Sequence, residues 1–144
     1  MTSLKRPFAV LGATALLSLG LTACGGYPTD ASAKDFCGSV QDVFDATIAV
    51  EGEEPTKKEW EKIQKAYEDL GETGTPKNIG EDEREGFEVV VDAITDLDYD
   101  EAKKSFGDED GEDGIPGVSK DDDKKADKFF EYLTTECSDE LGGE

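Results

Sequence analysis

Apolar residues in this chain fall into stripes spaced three and four positions apart, and that period constrains the fold more than any other feature. A strand would alternate every second residue, whereas a spacing near 3.6 lays side chains along one face of a helix. The first stripe runs from about Ala33 to Val50 and holds Phe36, Val40, Phe44 and Ile48, with Cys37 and Val43 beside them. Asp30 or Ser32 is placed to cap its start, and Gly52 and Pro55 stop it. In the second, Thr56 and Glu59 form a capping box ahead of Trp60, Ile63, Tyr67 and Leu70, and Gly71 stands where a left-handed C-cap is expected. The third starts near Glu81 with three acids suited to a helix N-terminus, then carries Phe87, Val90, Val91, Ile94 and Leu97. Val89-Val90-Val91 alone reads as a strand, but the flanking period favours helix, with one or two further turns over Asp98 to Phe106. The last begins near Ser119 and presents Ala126, Phe129, Phe130, Leu133 and Cys137.

Four helices with short connections predict an all-α fold, a small four-helix antiparallel bundle. A β-rich alternative would need alternating runs and Asn-Gly-type turns, and the sequence has neither. Internal repeats and a Gly-rich phosphate loop are likewise missing from it.

The first 24 residues have the order of an export signal. Lys5 and Arg6 are followed by an apolar stretch, Phe8 to Leu21, that Gly12, Ser18 and Gly20 interrupt. It is too short and broken for a membrane span, which takes about 20 apolar residues. Leu21-Thr22-Ala23-Cys24 closes it. This resembles the lipobox of bacterial lipoproteins at all four positions. The resemblance implies cleavage before Cys24, a diacylglyceryl thioether on its sulfur, and a new amine open to acylation by a chain such as palmitate. One acyl chain anchors only marginally; two or three make the attachment durable. The expected organisation is a removed signal peptide (1–23), lipidated Cys24 with a flexible spacer (24–32), an acidic helical domain (33–141) and a frayed tail (142–144). A soluble secreted protein and a transmembrane anchor are the two competing readings.

Without residues 1–23 the chain keeps 13 Lys and Arg against 36 Asp and Glu, a net charge of −23. Such a surface excludes nucleic-acid binding, which needs cations against phosphates, and is repelled by anionic lipid, leaving the acyl chains to hold the protein. The sequence has no His, so the commonest metal ligand and general base are absent, and no familiar hydrolytic triad can form. About 120 mature residues suit one small domain whose modest core would gain from a staple.

With Cys24 assigned to lipid, Cys37 and Cys137 remain, an even pair outside the cytoplasm. They lie near the start of the first helix and the end of the last, which share a pole in an up-down-up-down bundle. A structural disulfide is expected there. The other readings are two buried thiols or a redox-active pair, although the spacing is unlike Cys-x-x-Cys.

Candidate chemistry is sparse. The acidic stretch Asp108 to Gly114 suggests calcium, yet a helix-loop-helix calcium register with Gly114 at its glycine places Lys120 where the bidentate Glu belongs. A solvated acidic loop is the plainer reading. Trp60 and Tyr67 sit at core spacing rather than as a stacking platform, and Asp121-Asp122-Asp123-Lys124-Lys125 reads as a helix start. A pair of catalytic carboxylates cannot be picked out from so many acids. No catalytic, cofactor-binding or metal-ligating residue is therefore assigned. Lipidation at Cys24 and the Cys37/Cys137 pair are the only assigned sites.

Leu70-Gly71, Thr75-Pro76 and Glu83-Arg84-Glu85-Gly86-Phe87, with two cysteines behind a lipobox, are similar to small lipoproteins of actinobacteria. That likeness carries over no catalytic residue. The expected protein is a membrane-anchored extracytoplasmic lipoprotein acting as a non-enzymatic binding module. Its partner is an envelope protein or small ligand, besides the membrane lipid. The alternative is a structural, charge-bearing component of the envelope.

Overall fold

The computed structural model describes residues 26–107, 115 and 117–138. Cys24, the signal segment, the acidic stretch 108–114 and the tail 142–144 lie outside these residues. The fold is all-helical, with α1 (Ala33–Ile48), α2 (Lys57–Thr73), α3 (Glu81–Asp96), α4 (Tyr99–Gly107) and α5 (Lys120–Glu136). Among the described residues the extended backbone amounts to one isolated bridge, Ala31 with Pro76.

Four of the starts carry side-chain caps, that of α4 being Asp98, which accepts from the Glu101 amide at 3.0 Å. Ser32 accepts from the Asp35 amide and Ser119 from that of Asp122. At α2, Thr56 accepts from the Glu59 amide while Glu59 takes the Thr56 amide at 2.7 Å, which completes the capping box. Each cap satisfies an amide that the first helical turn leaves unpaired. The end of α2 departs from expectation. Gly71 is helical and buried, and the helix runs on to Thr73. The left-handed residue is Gly74, at φ 73°, where a side chain would also overlap the Pro28 carbonyl.

Helix neighbours run antiparallel. Ser39 in the first half of α1 meets Thr73 at the end of α2, hydroxyl to hydroxyl at 2.8 Å. Gln64 of α2 reaches the end of α3 at the Ile94 and Thr95 carbonyls. Asp82 pairs with Lys128 and Glu85 with Lys125, in the opposing order of α3 against α5. Cys37 and Cys137 bring the start of α1 to the end of α5, their Cα atoms 5.4 Å apart and their sulfurs at disulfide-bonding distance. The α3–α5 seam is tight because Gly86 faces it: a Cβ there would overlap the Lys125 carbonyl.

The apolar residues divide into two clusters. The larger joins Phe36, Cys37, Val40 and Val43 of α1 to Leu70, Phe87, Val90, Val91, Ala126, Phe129 and Cys137. Phe87 meets Phe129 edge-on with ring centroids 5.6 Å apart, and Phe36 meets Phe129 at 6.4 Å. The smaller holds Trp60, Ile63, Leu97 and Ala102.

Two residues of the expected first stripe are not core: Phe44 is 54 % and Ile48 66 % exposed. The reason is geometric. Steps of four residues advance about 400° around a helix, so such a stripe turns by about 40° at each step. Having buried Phe36 and Val40, it leaves the core, and burial continues through Val43 and Ala46. Phe130 of α5 is also exposed, beside the buried Phe129.

The expected continuation of the third helix is a separate element. Leu97 breaks the helix at φ −73° and ψ 123°, and α4 starts two residues later. Its side chain stays buried, and its carbonyl accepts from the Trp60 indole at 3.3 Å and from Gln64 at 2.9 Å.

Candidate functional site

Residues 26–31, assigned to a spacer on sequence, pack on the domain. Tyr27 meets Phe87 edge-on at 5.3 Å and its phenol donates to Asp92. Gly71 has no side chain to hold the ring off; a Cβ there would lie 2.7 Å from Tyr27 Cε1. Burial, then the Asp92 carboxylate that accepts its proton, push the Tyr27 phenol well above its ordinary range. Pro28 accepts from the Thr75 amide at 2.8 Å, and the Ala31 amide donates to the Thr75 carbonyl at 3.2 Å. These contacts make 26–31 a strap across the end of α2 and the α3 flank. Thr75 beneath it is fully buried, and its hydroxyl has no hydrogen-bond partner among the described residues.

Concave surface collects on that flank. A hollow of ≈ 670 Å³ runs along Gly26, Tyr27, Glu68, Glu72, Thr95 and Asp96. Another, of ≈ 420 Å³, lies between α3 and the start of α5, with Val89, Ala93 and Val118 beneath Asp92, Asp96 and Asp122. Carboxylates therefore edge both openings, a setting suited to cationic or ammonium-bearing groups. Every described Asp and Glu keeps part of its surface in water.

The residues singled out from sequence fall as follows. Cys24 and the acidic stretch Asp108 to Gly114 are outside the described residues, and Gly107 ends α4 just before the latter. Cys37 and Cys137 are brought together in the core. Trp60 is 2 % exposed and Tyr67 half-buried against the same helices, so neither offers an open ring for stacking. Asp121, Asp122 and Asp123 occupy the first turn of α5: Asp121 pairs with Lys124, Asp122 accepts from Ser119, and Asp123 accepts from the Ile115 amide. Among the described residues no three His, Cys, Asp or Glu side chains gather as metal ligands would. Nor is any described helix long and apolar enough to cross a membrane.

Sequence reasoning missed Tyr27, Asp92 and Gln64. Gly-Gly-Tyr-Pro reads as coil, and a phenol in coil gives no sign of its acceptor 65 residues on. Gln64 sits one position from the α2 seam, where an amide reads as solvent-facing. Comparison with known proteins found no matching family, no matching curated protein and no matching solved structure.

Proposed function

We propose that this chain is an exported lipoprotein, acylated on Cys24 and held at the outer face of the cell membrane as a non-enzymatic interaction module. The observation that carries the reading is the order of parts before Cys24: two cations, an interrupted apolar run, then Leu-Thr-Ala-Cys. The cysteine pair at bonding distance in the core supports it, since such bonds persist in oxidising compartments. In this reading α1, α2, α3 and α5 act as a four-helix antiparallel bundle closed by a Cys37–Cys137 disulfide, with α4 set against the α2–α3 end.

The second reading, a charge-bearing envelope component, draws on a different observation. The acids lie outside a core filled by aromatic rings, and the hollows they edge are not deep apolar pockets. A partner for either reading is cationic and extracytoplasmic.

Cys24→Ser tests the anchor. The substituted protein is expected to lose acyl labelling and to leave the membrane fraction for the medium; retention in the membrane would end the lipoprotein reading.

A further inference from the structure

The strap fixes where a lipid on Cys24 can be relative to the folded domain. This step rests on the acylation proposed above. Only Gly25 stands between Cys24 and Gly26, and a chain covers at most about 3.6 Å per residue, so those two Cα atoms are within ~7 Å of each other. Gly26 is not at a pole of the molecule. A Cβ built on it would lie 3.8 Å from the Glu88 carboxylate, midway along α3. The strap also resists peeling: the Tyr27 ring rests on Phe87, its phenol on Asp92, and the Pro28 carbonyl on the Thr75 amide. A leash shorter than one helix diameter, attached to a flank, turns that flank toward whatever holds the leash.

We infer that the α2–α3 flank bearing Glu72, Glu88, Asp92 and Asp96 is the membrane-facing side of the domain, held against the phospholipid headgroups by the docked strap. The partner is the lipid surface itself. The carboxylates favour the outer ammonium groups of zwitterionic lipids, while anionic lipid would repel them over a Debye length of about 8 Å at physiological salt. The outer face of α1, with Asp45, Phe44 and Ile48 exposed, then points away from the bilayer.

The test uses the full acylated protein in phosphatidylcholine vesicles that carry an acceptor dye on their headgroups. A thiol-reactive donor is placed at Asp96→Cys or, separately, at Asp45→Cys, with the Cys37–Cys137 pair verified by mass. Energy transfer from position 96 is expected to exceed that from 45 by about twofold or more, because the two sites differ in height by roughly two helix diameters, ~20 Å. Inserting about ten Gly and Ser residues between Gly25 and Gly26 leaves the packed strap untouched and adds a coil of ~17 Å root-mean-square span, which should bring the two transfers together. Equal transfer in the unextended protein, or more from position 45, overturns the orientation while co-flotation with the vesicles keeps the anchor. Protein that neither floats nor carries acyl mass overturns the anchor, and the orientation with it.

Discussion

The two apolar clusters are sealed by different means. The larger is closed by aromatic edges and by cysteines 100 residues apart, drawing on α1, α2, α3 and α5. The smaller has Trp60 at its centre and is closed by polar side chains: the indole and the Gln64 amide both donate to the Leu97 carbonyl, and the Tyr99 phenol donates to the Pro55 carbonyl. Where α3 breaks at Leu97, backbone carbonyls are left without helical partners, and α2 supplies the donors. Long-range apolar closure builds the domain; short polar reach finishes its far end.

The largest loss is expected from the cysteine pair that closes the larger cluster. Changing both Cys37 and Cys137 to Ser should cost about 4.7 kcal/mol in the chain-entropy account of a closed loop of roughly 100 residues, read as a fall in thermal midpoint. The unsubstituted protein should be about two daltons lighter before reduction than after it. Trp60→Ala should cost about 3–5 kcal/mol, and amide exchange should rise first in α4. Exchange rising first in α1 or α5 would mean that the clusters are one cooperative unit. Two helical glycines sharpen the point with opposite signs. Gly86→Ala forces a methyl into the α3–α5 seam and should destabilise by about 1–3 kcal/mol. Gly38→Ala meets nothing within 4 Å and should stabilise by about 0.5–1 kcal/mol through helix propensity.

The smallest expected effect is a pH dependence at the start of α2. Hydrogen bonds from the Thr56 hydroxyl and then from the Thr56 amide hold the Glu59 carboxyl below its ordinary range. A carboxyl depressed by folding stabilises above its unfolded pKa, about 4.3 for Glu, and that contribution goes as pH falls through the lower folded value. Amides in the first turn of α2 should therefore lose protection across that window, and Thr56→Ala should flatten the change.

Much of the helical architecture is legible in the sequence because caps and periods are local. Ser32, Thr56 and Ser119 act where their spacing from the following turn places them, and the α2 seam from Trp60 to Leu70 keeps the mixed three-and-four step that stays on one face. The α1 stripe misleads because its unbroken four-residue step drifts around the helix and carries Phe44 and Ile48 into water. The left-handed glycine is displaced by three residues, from Gly71 to Gly74, since the strap needs both: one to admit the Tyr27 ring, the other to pass the Pro28 carbonyl. The strap itself has no local signature. Its contacts are made with residues far along the chain, and no window of sequence contains both partners.

Among the described helices, α5 is synthesised after the others and is a wall of the main cluster. Until Ala126, Phe129 and Cys137 have been made, Phe36 and Phe87 lack the α5 wall of their cluster, and Cys37 lacks its partner in the core. A chain synthesised from its amino terminus must therefore wait, partly wet, until residue 137 is made before this interior can shut. Its dense negative charge is well suited to that interval, because neighbouring unfinished chains repel one another while their apolar residues are still exposed.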